Sequence, residues 1–298
     1  MPSCGLALMA DRTAGPPRGR KPAAGPDRDS RAPARRGRDA SGRSDRADRG
    51  NRGQGRPDRG GRSGSTARGE RGPVAGSEAE ADIPDVDVAV LPKVVLEDLA
   101  SLGGGLPDKV GRLLAAARLA SDENPEAALA FTRRARGMAP RSAVVRETLG
   151  VMAYRTEDYA TARKELQAAR RMSGNIEVLP LLADCERALG SPERALEIGL
   201  SPEARKLTGT DAVELLIVVA GARLDLGDAD AAIALLARPA AAARDSQPWA
   251  ARLVYAYATA LEAAGRRADA RKSWEHCIEL DIDESTDAPA RLAECIAE

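Results

Sequence analysis

Leu149-Gly150-Val151-Met152-Ala153-Tyr154, followed by Glu157-Asp158-Tyr159-Ala160-Thr161-Ala162 and then Leu166 and Ala169, reads as two helices folded back on each other. Gly150 is the small residue where the first helix presses on the second, and Ala162 is its counterpart twelve residues later. The same gap separates Ala116 from Ala128, Ala183 from Ala195, Ala220 from Ala232 and Ala258 from Ala270. Self-similarity at a fixed period of this length is the signature of a helical solenoid.

The pattern resembles the tetratricopeptide repeat family, which carries a Leu-Gly pair, a later Ala, an aromatic residue and a terminal Pro. The second repeat supplies Leu149, Gly150, Ala162, Leu166 and Ala169. The fifth supplies Tyr257, Ala258, Leu261, Gly265, Ala270, Trp274 and Cys277, and the first Ala116, Leu119, Ala128, Ala135 and Pro140, with Phe131 one place early. Repeats three and four match less well. Gly199 stands where a large residue belongs, and Pro202 and Pro239 fall where second helices are expected to end. The resemblance covers about residues 108–282. It implies an all-α fold: a right-handed α-solenoid of about five hairpins with flanking capping helices, behind a disordered arm. The expected divisions are an arm over 1–82, a lead-in with its helix over 83–107, repeats over 108–282 and a capping helix over 283–298.

The net charge of zero hides an asymmetry. Residues 1–73 hold 18 Lys/Arg against 8 Asp/Glu, a formal +10, which leaves 27 and 37, a formal −10, for the remainder. Residues 1–82 are rich in Gly, Pro, Arg, Asp and Ser, with almost no large apolar side chains. Such a segment cannot bury enough surface to offset the entropy of ordering it. Its seven Arg-Gly dipeptides, beginning at Arg18 and ending at Arg71, could contact phosphates through charge and guanidinium hydrogen bonds. The absence of aromatics from the arm and its interspersed Asp27, Asp45, Asp48 and Asp58 favour a solubilising tail instead. Arg outnumbers Lys 39 to 6, a bias that fits GC-rich, bacterial-type coding.

Little in the chain points to catalysis. The lone histidine, His276, has no indicated partner, and Cys4, Cys185, Cys277 and Cys295 form no metal-ligand spacing. Gly103-Gly104-Gly105 lacks both the preceding strand and the Gly-Lys-Ser/Thr of a phosphate loop. Asp184/Glu186 and Asp228/Asp230 read as solvated faces and turns. No catalytic residue, metal, cofactor or small-molecule substrate is expected. The cysteine usage and the lack of any long apolar run fit a cytoplasmic protein without a membrane partner.

The resemblance implies that the first helix of each pair lines a concave groove that binds another protein. The residues it assigns there are Glu147, Val151 and Tyr154; Asp184 and Arg187; Glu214, Ile217 and Gly221; and Arg252, Tyr255, Thr259 and Glu262. A Lys/Asn clamp for a C-terminal carboxylate is not expected, since Asn124 and Asn175 both fall in loops. In the fifth repeat Tyr257 is expected to meet Trp274, leaving Tyr255 to the groove. A peptide or partner helix is the expected ligand, and nucleic acid on the basic arm is the alternative.

Overall fold

A computed structural model describes residues 83–297, and the expectations for the arm over 1–82 and for Glu298 lie outside them. Twelve α-helices and no strand occur among the described residues. In chain order they are α1 (Lys93–Ala100), α2 (Leu106–Ala120), α3 (Pro125–Met138), α4 (Ala143–Arg155), α5 (Tyr159–Ser173), α6 (Leu179–Ala188), α7 (Pro192–Gly199), α8 (Gly209–Asp225), α9 (Ala229–Ala242), α10 (Ala250–Ala263), α11 (Arg267–Leu280) and α12 (Ala288–Ala297). None is long and apolar enough to cross a membrane.

The helices begin where capping chemistry puts them. Asn124, Ser142, Asp158 and Asp228 each accept a hydrogen bond from the backbone N–H three residues on, at 3.0–3.3 Å. Pro125 and Pro192 occupy first helical positions, where the missing N–H costs nothing. Ser191, at the start of α7, makes no side-chain cap bond. Ahead of the first α-helix the lead-in makes a 3₁₀ turn at Val88–Val90, where the Asp87 carboxylate captures the Ala89 N–H at 2.9 Å.

Consecutive helices pair as α2/α3, α4/α5, α6/α7, α8/α9 and α10/α11, and α12 packs on α11. Four of these hairpins turn in the same way. The residue after the turn donates its N–H five places back: Asp158 to Ala153, Ser191 to Glu186, Asp228 to Arg223 and Arg266 to Leu261, each at 2.8 Å. That geometry needs a left-handed residue, supplied by Gly190, Gly227 and Gly265 in three hairpins. In the fourth it is Glu157, at φ 61°. Glu157→Gly is therefore expected to stabilise the chain by about 1 kcal/mol, read as a higher urea midpoint, because it removes the side-chain strain of a left-handed L-residue.

Small residues sit where the paired helices meet. A Cβ on Gly150 would lie 2.6 Å from Leu166 Cγ and 3.1 Å from the Leu166 backbone nitrogen. Gly199 follows the same logic, so its small size is required rather than a defect of the repeat. α8 approaches α7 so closely that a Cβ there would stand 2.2 Å from Val219 Cγ2. Pro202 lies beyond the short α7, and the chain makes a 3₁₀ turn at Ala204–Lys206. Pro239 departs from expectation: it sits inside α9, which continues to Ala242 despite the lost donor.

The core is Ala-rich and runs along the helices in two clusters that meet at α8. Leu215 and Ala222 belong to one, and Ala220 to the other. α8 reads apolar on several sides because it packs against α6, α7, α9 and α10.

A polar seam across the first helices

The first helices also contact one another, α6 with α8 and α8 with α10. Along these contacts the expected groove residues engage each other. Tyr154 of α4 donates its hydroxyl to Asp184 Oδ2 of α6 at 2.6 Å. Arg187, one turn further along α6, donates to Asp184 at 3.0 Å and to Asp225 of α8 at 2.8 Å. Its guanidinium lies where a side chain on Gly221 would be, with Cζ 2.5 Å from an added Cβ. Glu214 of α8 then pairs with Arg252 of α10, and Glu262 of α10 with Arg291 of α12. The result is a seam of charge-assisted hydrogen bonds that stitches α4, α6, α8, α10 and α12 in order.

Several assignments need correction. Glu147 and Val151 are only 2% and 5% exposed, so neither lines an open surface. Glu147 accepts a hydrogen bond from Asn175 Nδ2 at 3.1 Å. Asp184 and Glu186 are likewise buried and paired, not solvated. In the fifth hairpin it is Tyr255, not Tyr257, that meets Trp274, with ring centroids 4.9 Å apart and planes at 73°. Trp274 donates Nε1–H to Glu262 at 3.2 Å, and the Arg291 guanidinium stands 5.6 Å over its ring. Ile217 is half-buried against the core, and Thr259 donates its hydroxyl to the Tyr255 carbonyl at 3.0 Å.

One geometric fact explains these departures. Residues three before and four after a small packing residue share its helical face. Glu147 and Tyr154 stand in that relation to Gly150, and Tyr255 and Glu262 to Ala258. The α10 face toward α11 accordingly runs through Ala251, whose carbonyl accepts from Cys277 Sγ at 3.3 Å, then Tyr255, Ala258 and Glu262. These positions lie against neighbouring helices, and only their polar ends reach the seam.

Asp225 and Arg291 were missed. A signal for the first was present: Arg187 and Asp225 are 38 residues apart, as are Glu214 and Arg252. Both pairs of opposite charges join successive first helices, α6 to α8 and α8 to α10.

The seam and its edge perturb two phenols. Burial first, then the Asp184 carboxylate, holds the Tyr154 hydroxyl well above its ordinary value. Burial, then the Asp287 carboxylate, pushes up that of Tyr255. Both favour the neutral phenol in the folded chain. Their contribution to stability is thus complete below the unfolded value of about 10 and is lost as pH rises through the folded values. In a phenolate absorbance titration, Tyr154 and Tyr255 are expected to ionise late, together with alkaline unfolding.

No protein-family model matches the chain, and no curated protein does. Among the described residues no group of His, Cys, Asp and Glu is placed to hold a metal ion.

Proposed function

We propose that the chain is a tetratricopeptide-type scaffold, a right-handed superhelix of about five hairpins. In this reading its first-helix face receives a peptide or partner helix of another protein, without catalysis. The observation that carries the proposal is the repeated hairpin. Four turns of one geometry, each joining helices that meet at small residues, are what a stacked-repeat architecture needs. The seam supports the functional part. Tyr154, Asp184, Arg187, Glu214, Arg252 and Glu262 are held by one another across successive helices. A surface whose side chains are already fixed loses less entropy on binding. Burial pushes the Cys185 and Cys277 thiols up to about 12, which keeps them protonated and unsuited to nucleophilic attack.

Affinity purification of the full chain and of a chain lacking residues 1–82 tests this proposal. Both are expected to retain the same stoichiometric protein. A Thr259→Lys variant, which extends a charged side chain from the first-helix face while removing no inter-helix bond, is expected to lose that protein with its melting temperature unchanged. Retention of the partner by this variant would contradict the site. Recovery of nucleic acid alone, lost with the arm, would favour the alternative in which the seven Arg-Gly dipeptides contact phosphate.

A further inference from the structure

A second candidate surface lies mainly on the second helices and shares no residue with the seam. A groove of about 470 Å³ is lined along α5 by Ala160, Arg163, Lys164, Gln167 and Arg171, with Glu186 of α6 and Arg194 of α7 completing it. Four cations thus face one carboxylate. That carboxylate is buried and already engaged, since Arg163 Nη1 donates to Glu186 Oε2 at 3.2 Å and Arg194 Nη1 stands 3.9 Å from the same oxygen. Lys164 and Arg171 are exposed and make no ion pair among the described residues. The groove therefore carries an uncompensated positive charge, in a portion of the chain (residues 74–298) whose formal charge is −10.

The contrast restricts the ligand. Screening within about 8 Å at physiological salt lets the local cations act on a short anionic segment. A long polyanion would also feel the surrounding negative charge, and no aromatic residue lines the groove for a base to stack on. Length gives a further restriction. From Lys164 to Arg171 the helix rises about 10 Å at roughly 1.5 Å per residue. An extended peptide advances about 3.3 Å per residue, so side chains three or four positions apart span that distance. We infer that this groove docks an extended acidic segment of a partner protein. One of its carboxylates meets Arg163 and Lys164, and another, three or four residues on, meets Arg171, with Arg194 closing the opposite wall.

Fluorescence anisotropy on the full chain tests the inference, using a labelled peptide with two glutamates four residues apart and its glutamine counterpart. The glutamate peptide is expected to bind at least ten-fold more tightly. Lys164→Glu with Arg171→Glu is expected to weaken it at least ten-fold while leaving the melting temperature unchanged, since both side chains are exposed and unpaired. Should the reversal variant misfold, Lys164→Ala with Arg171→Ala is expected to give a smaller loss in the same direction. Equal binding of the two peptides would overturn the inference. So would unchanged binding by the folded variants, which would place the peptide on the basic arm. An oligothymidine that displaces the peptide and loses ten-fold affinity in the same variants would overturn it in favour of nucleic acid. None of these outcomes bears on the seam, since both substitutions lie on α5 and Glu186, the groove residue on α6, takes no part in it.

Discussion

Trp274→Ala is expected to lower the stability of the chain by about 3–5 kcal/mol, the largest single effect in the molecule. Trp274 is fully buried and is the largest such side chain. Its removal deletes the edge contact with Tyr255, the N–H donated to Glu262 and the ring beneath Arg291. The indole thus joins α11 to α10 and, through Arg291, to α12. Trp274→Phe keeps an aromatic edge for Tyr255 but leaves Glu262 with one donor fewer, so an intermediate loss of roughly 1–2 kcal/mol is expected. Urea unfolding of both variants checks this. A midpoint shift for Trp274→Ala no greater than that of an exposed-site control would mean that the fifth hairpin does not depend on the indole.

Glu165→Ala is expected to cost about 3 kcal/mol, although the residue is charged and lies on a helix with a strongly polar outer face. The Glu165 side chain is only 7% exposed. Its Oε2 accepts from Arg136 Nε of α3 at 3.1 Å and from Arg146 Nη1 of α4 at 2.7 Å. Deleting the carboxylate strands two guanidiniums in a partly buried position, where the loss of one partner costs more than the intact pair contributes. Glu126, exposed at the start of α3, is the control, and Glu126→Ala is expected to stay within about 0.5 kcal/mol. Similar midpoint shifts for the two would show that Glu165 behaves as a surface charge.

The helical pairs were legible because small packing residues twelve apart, such as Gly150 and Ala162, are local features of the chain. Local geometry fixes them, and the helices formed where they pointed. Gly199 was misread because its requirement is not local: Val219, twenty residues on, occupies the space a side chain would need. The face assignment failed for a related reason. Polar residues next to a packing position look solvent-directed when only one helix is considered. With a neighbouring helix alongside, Glu147, Asp184 and Tyr255 become buried or half-buried and paired. Glu157 shows the reverse case. Nothing about a glutamate announces a left-handed backbone, and only its alignment with Gly190, Gly227 and Gly265 would have exposed it.

The decisive measurement is hydrogen exchange of the full chain, alone and with any protein retained in the affinity purification. Added protection is expected in α6, α8 and α10, the helices that carry Asp184, Arg187, Glu214 and Arg252, with that protection lost in Thr259→Lys. Protection absent from these three helices and confined to peptides of the N-terminal arm would contradict it.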